Sequence, residues 1–137
     1  MSKKLTRSEQ REQILQLLYE KTFHEEPVEE RFELANIARD FVPSDFISDE
    51  LNGIIEHMSD IDSEIEKHLK NRKLSRVPKV PLCIMRIAVY EMLYCDGLDT
   101  GISINEAVNL AKKYAADEDK SYINGILGSI DRERKNG

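Results

Sequence analysis

Arg7 and Arg11 stand four residues apart near the start of the chain, and Tyr19 follows two turns later. On one helix that spacing projects both guanidinium groups together, with Tyr19 on the same flank, about 80° from Arg11 at roughly 100° per residue. A base can stack on the tyrosine ring while the arginines hold phosphates, which is how single-stranded RNA is gripped. A second concentration of positive charge runs from Lys67 to Arg86, where Lys67, Lys70, Arg72, Lys73, Arg76, Lys79 and Arg86 meet no acid. Such a run inside an acidic chain places positive potential where phosphates would bind.

Other chemistries lack their residues. His24, His57 and His68 lie in polar, acid-rich stretches. Glu64 and His68 are four apart and reach each other on a helix, but two such groups do not make a metal site, so no metal is expected. There is no G-x-S-x-G, no Walker A loop and no G-x-G-x-x-G, so the sequence predicts no cofactor, no catalytic residue and no enzymatic activity. Gly125 and Gly128 fall inside a helical pattern, where close helix packing is the expected reason for them. Cys83 and Cys95 fall in one helical segment, where twelve residues amount to about 18 Å of rise. A disulfide needs Cα atoms within about 7 Å, so two reduced, packed thiols are expected.

The elements that must position these groups read as helices throughout, because apolar residues recur at three and four rather than two. The fold class is therefore all-α. With 137 residues, 40% hydrophobic and 34% charged, the chain has room for one domain with an aliphatic core, since it contains no Trp. The net charge of −6 is unevenly spread: residues 20–66 carry 15 acids against Lys21, Arg31 and Arg39, a local charge of −12. Spread over amphipathic helices, those acids read as a solvated face.

Thr6 and Glu9 form a capping box for a first helix bearing Ile14, Leu15, Leu17 and Leu18. Pro27 suits the first turn of a second, with Phe32, Ala35 and Phe41 inward, which Pro43 stops. Ser44 caps a third with Ile47, Leu51 and Ile54, and Asp60 or Asp62 opens a fourth with Ile61 and Ile65. Leu82 to Cys95 has only Arg86 and Glu91 as charged members, so it is expected to be the central, most buried helix, with Pro81 in its first turn. Ser103 and Glu106 suggest another capping box, and a last helix is expected from Asp117 or Asp119 with Ile123, Ile126, Leu127 and Ile130 inward. No stretch is long and apolar enough to span a membrane, and the opening MSKKLTRSEQ has no apolar signal core, so a cytoplasmic location is expected.

Three ordered motifs carry a family resemblance. Arg86, Ala88, Val89, Tyr90 and Glu91 lie on the central helix, Ile104 to Lys113 read I-N-E-A-V-x-L-A-K-K, and Tyr122 to Leu127 read Y-I-N-G-I-L. Together with the R-E-x-x-L-Q-x-L-Y of Arg11 to Tyr19, they resemble the NusB transcription antitermination family over nearly the whole chain. The resemblance implies one domain, 1–137, made of two small bundles of about seven helices, here divided into 1–77 and 78–137. It implies a non-enzymatic factor that binds boxA RNA of ribosomal RNA leader transcripts together with NusE, a small-subunit ribosomal protein, within a transcription elongation complex. In that family the basic N-terminus and the aromatic residue of the last helix contact RNA, which corresponds here to Lys3, Lys4, Arg7, Arg11, Tyr19 and Tyr122. Lys120 supplies the basic residue near that aromatic, and Arg72, Lys73 and Arg76 are added from the basic stretch. The rival reading is a helical protein-interaction module or homodimer that buries the RNA face.

Overall fold

The computed structural model describes residues 5–22, 44–70 and 72–136. Among them are six α-helices and one short 3-10 turn, and no strand: α1 (Arg7–Lys21), α2 (Asp45–Glu56), α3 (Met58–Lys67), the turn Leu74–Arg76, α4 (Lys79–Tyr94), α5 (Thr100–Tyr114) and α6 (Asp117–Asn136). The helix expected after Pro27 lies outside the described residues. The chain divides into two compact units, Met1–Glu56 and His57–Gly137. The sequence division at 77/78 differs from this by the placing of α3, which packs against α4 and α6 in the second unit.

In the first unit α1 packs on α2, and Ile14, Leu17, Leu18, Ile47, Leu51 and Ile54 are all but fully buried. The capping box is formed: Glu9 N–H donates to Thr6 Oγ1 (3.1 Å) and Thr6 N–H donates to Glu9 Oε1 (2.9 Å). Each bond satisfies an amide that no preceding turn can reach. Ser44 caps α2 as expected, accepting from Ile47 N–H at 3.1 Å, and its hydroxyl donates to Gln10 Oε1 of α1 at 2.6 Å. One serine therefore starts α2 and ties it to its neighbour.

The second unit is built around α4. Ten of its residues are buried, from Pro81 to Met92, and it packs against α3, α5 and α6. Pro81 sits in the first turn, where a missing N–H leaves no helical bond unmade. Beyond Lys79 at its start, the charged members of the helix, Arg86 and Glu91, are held by partners on its neighbours. Arg86 donates from Nε and Nη2 to the two carboxylate oxygens of Asp62 at 2.8 and 2.9 Å, a paired geometry that fixes α3 against α4. Glu91, 2% exposed, accepts from Ser103 Oγ at 2.9 Å.

That last bond overturns the cap expected at Ser103. α5 begins a turn earlier, where Asp99 Oδ1 accepts from Gly101 N–H at 2.8 Å, and Ser103 is spent on the buried carboxylate instead. Likewise α3 begins at Met58, ahead of Asp60. Gly97 turns the chain between α4 and α5 at φ +84°, a conformation costly for any residue with a Cβ. No helix among the described residues is long and apolar enough to cross a membrane.

Both cysteines are free thiols. Burial pushes the Cys83 thiol up to about 11, a rise that the nearby Arg86 only partly offsets, whereas Cys95 is half-buried. The folded state therefore holds the Cys83 proton more tightly than the unfolded chain, so its contribution to stability is full below the unfolded thiol value and falls as pH rises toward 11. Alkylation by iodoacetamide at mildly alkaline pH, followed by mass spectrometry, should label Cys95 alone in the native protein and both thiols in denaturant. Native labelling of Cys83 at the rate of Cys95 would contradict this packing.

Candidate nucleic-acid interface

The expected contacts fall in both units. Lys3 and Lys4 lie outside the described residues. Because the capping box starts α1 at Arg7, this arginine occupies the first helical position and is exposed. Its guanidinium lies 3.8 Å from the centre of the Phe46 ring of α2, within the range of a favourable cation–ring attraction.

Arg11 does not join it in solvent. Only 4% of Arg11 is exposed, and its guanidinium lies 5.7 Å from the same ring. The reason is periodic: Arg11, Ile14, Leu15 and Leu18 stand at i, i+3, i+4 and i+7, so Arg11 heads the stripe that faces the core. The expected arginine pair is thus corrected to one exposed cation, Arg7, and one buried arginine that belongs to the packing of the first unit. Tyr19 is half-buried on the flank of α1. Phe46, which receives both arginines, was not foreseen; its aromatic ring near the start of a capped helix was the available signal.

In the second unit the basic stretch and the last helix meet. The 3-10 turn closes through Arg76 N–H to Lys73 O (2.9 Å) and Val77 N–H to Leu74 O (3.0 Å), and buried Val77 anchors it. Arg72, Lys73 and Arg76 are all exposed. On α6, Ile123, Ile126, Leu127 and Ile130 take the buried face as expected, which leaves Tyr122 half-buried at its edge and Lys120 half-buried two residues earlier. The Arg72 guanidinium covers the Tyr122 ring at 5.0 Å. The Tyr122 hydroxyl points inward, buried and without a hydrogen-bond partner. The ring carries Arg72 over its face while its polar end is buried.

Tyr122 borders a surface cleft of about 340 Å³ whose lining includes His68, Lys70, Gly125, Ser129 and Arg132. Tyr122, Gly125, Ser129 and Arg132 recur at helical spacing along α6, one face of the helix. Arg132 was missed because it opens a polar tail that reads as fraying, yet α6 runs on to Asn136. The arrangement offers cations at the rim, an aromatic–guanidinium stack and an open floor. Those are the requirements for holding a phosphate and stacking an unpaired base.

The floor is open because of Gly125. A Cβ built there meets nothing within 4 Å, and one built at Gly128 lies 3.2 Å from Arg132 Nη1. Neither glycine shows the close helix packing expected of it: among the described residues, a Cβ at either position would have no atom of another helix within 4 Å.

The sequence model of the NusB family matches residues 8–132. The transcription antitermination protein NusB of Agathobacter rectalis is 41% identical over 131 residues, covering 92% of this chain and 99% of that protein. Its counterpart in Thermoanaerobacter sp. (strain X514) is 37% identical over 132 residues, covering 94% and 92%. Among solved structures, Thermotoga maritima NusB superposes with a TM-score of 0.82 at 28% identity, covering 96% of this chain and 94% of that one. A crystal structure of the antitermination factors NusB and NusE in complex with double-stranded RNA contains a chain that superposes with a TM-score of 0.80 at 26% identity, covering 90% and 94%.

Gly125→Ala should stabilise α6 by about 0.5 to 1 kcal/mol, because a mid-helix glycine costs about that much relative to alanine and the added methyl meets open space. A thermal melt followed by circular dichroism checks it. A lowered melting temperature would show that position 125 is packed after all.

Proposed function

Because the chain belongs to the NusB family, we propose that it is a transcription antitermination factor that binds boxA RNA of ribosomal RNA leader transcripts together with NusE. The role is one of binding, without catalysis, and it is exercised in the cytoplasm on the transcription elongation complex. The observation that carries the reading in this chain is the Arg72 guanidinium stacked over Tyr122 at the rim of an open cleft. Base stacking is sequence-tolerant and contributes about 1 to 3 kcal/mol per base, while Arg72, Lys73 and Arg76 supply the phosphate contacts and Lys120 reinforces them from α6. In the first unit Lys3, Lys4, Arg7 and Tyr19 are the corresponding contacts, and Arg11 acts by holding α1 in place.

The test is a titration of boxA RNA against a scrambled RNA, with and without NusE, over a range of salt. Each phosphate contact on a single strand contributes about −0.7 to the slope of log affinity against log salt. Replacing Arg72, Lys73 and Arg76 together with Ala should therefore flatten the slope by about 2 while the circular dichroism spectrum is preserved. Tyr122→Ala should weaken binding roughly ten- to a hundredfold with little change in slope. Tyr122→Phe keeps the ring and removes only the partnerless hydroxyl, so it should bind as the parent does. If Tyr122→Ala lowers thermal stability with RNA affinity intact, Tyr122 is a packing residue. If the parent protein with NusE fails to distinguish boxA from scrambled RNA, the RNA reading falls and the interaction-module reading takes its place.

A further inference from the structure

The fold adds a third group to the Glu64 and His68 pair that the sequence sets aside. Glu133 of α6 places Oε2 3.2 Å from His68 Nε2, on the side where Glu64 Oε1 lies at 3.9 Å. We propose that Glu64, His68 and Glu133 form a binding site for one divalent cation of the zinc class, at the His68 edge of the α6 cleft.

The imidazole is set up as a ligand. Its side chain is only 7% exposed, and its Nδ1 lies 2.7 Å from Ser129 Oγ. With Nδ1–H donating to that hydroxyl, Nε2 is left as the ring's lone-pair nitrogen, with both carboxylates nearby, the arrangement by which outer partners orient metal-bound histidines. Nε2 is buried and makes no hydrogen bond, even though Glu133 stands within reach. An N–H at that nitrogen would point out of line with the carboxylate oxygen. A buried ring nitrogen with no partner, lying beside two carboxylates, is satisfied when a cation sits between the three groups.

The three donor atoms lie within 4.8 Å of one another. Donors at about 2.0 to 2.2 Å from a tetrahedral zinc ion lie about 3.4 Å apart, so the site closes by roughly 1 Å of side-chain movement. Glu133, 56% exposed, has the freedom to make it. Lys67 Nζ holds Glu64 Oε2 at 2.9 Å and leaves Oε1 for the ion. The formal charge of the donor set is −2, matched by a divalent cation, and its nitrogen donor favours zinc over magnesium, which prefers oxygen and retained waters. The donors and the serine that orients the imidazole come in two pairs at i, i+4: Glu64 with His68 at the end of α3, and Ser129 with Glu133 on α6. A bound ion would therefore pin these two helices together.

The full-length protein, stripped with EDTA, is titrated with zinc chloride near neutral pH by calorimetry, and its melting temperature and the His68 Nε2 nitrogen shift are followed. One-to-one saturable binding is expected, with a raised melting temperature and a moved Nε2 resonance. Ser129→Ala should weaken affinity by about ten- to a hundredfold, and His68→Gln and Glu133→Gln by at least as much. Glu133→Gln is decisive, since position 133 is on the surface and its change leaves the buried core intact. No saturable binding, or equal affinity in Glu133→Gln and the parent, would overturn the site, the second result assigning the zinc to other side chains.

Discussion

A helix that is apolar on nearly every side cannot rest on a surface; it must be surrounded. α4 meets that demand with α3, α5 and α6 packed around it, and burial of each of its large aliphatic side chains contributes on the order of 1.5 to 3 kcal/mol against the entropy of ordering the chain. Arg86 and Glu91 then restrict how the neighbours sit. Arg86 requires a carboxylate, which Asp62 supplies from α3, and Glu91 requires a donor, which Ser103 supplies from α5. A buried charge left without a partner costs far more than the pair gains, so these bonds act chiefly by excluding other arrangements. What lies on the outer faces follows: Tyr122 on α6 comes under Arg72, and Glu133 comes beside His68.

The acidic character of the whole chain coexists with local positive sites because the charges are put to different uses. Arg86 neutralises Asp62, and Arg11 is drawn into the packing of the first unit. Arg72, Lys73 and Arg76 stay exposed on the segment between α3 and α4, which the 3-10 turn and buried Val77 anchor. Net charge thus says little about phosphate binding here; the relevant quantity is how many cations remain exposed beside an aromatic ring.

Features set by neighbours in sequence were legible. The Thr6 and Glu9 capping box, the Ser44 cap, the buried segment containing Leu82 to Met92 and the inward face of the last helix all follow from spacing within a turn or two. Arg11 is legible in principle, since its place on the stripe with Ile14 and Leu18 outweighs its charge, although its spacing from Arg7 points the other way. Local spacing marks Ser103 as a cap, while the buried carboxylate that claims it is twelve residues away. The His68 bond to Ser129 spans 61 residues. No periodicity encodes it, and the same holds for the meeting of Arg72 with Tyr122.

The central functional claim is that RNA is received where Arg72 covers Tyr122 above the glycine floor of the α6 cleft. Chemical-shift mapping on isotope-labelled protein, with boxA RNA added in the presence of NusE and NusE alone as the reference, tests it most directly. The account predicts that the largest RNA-dependent changes in the second unit fall on the Tyr122 ring, the Arg72 side chain and the Gly125 amide. RNA-dependent changes that leave all three unmoved while affinity is retained would contradict it.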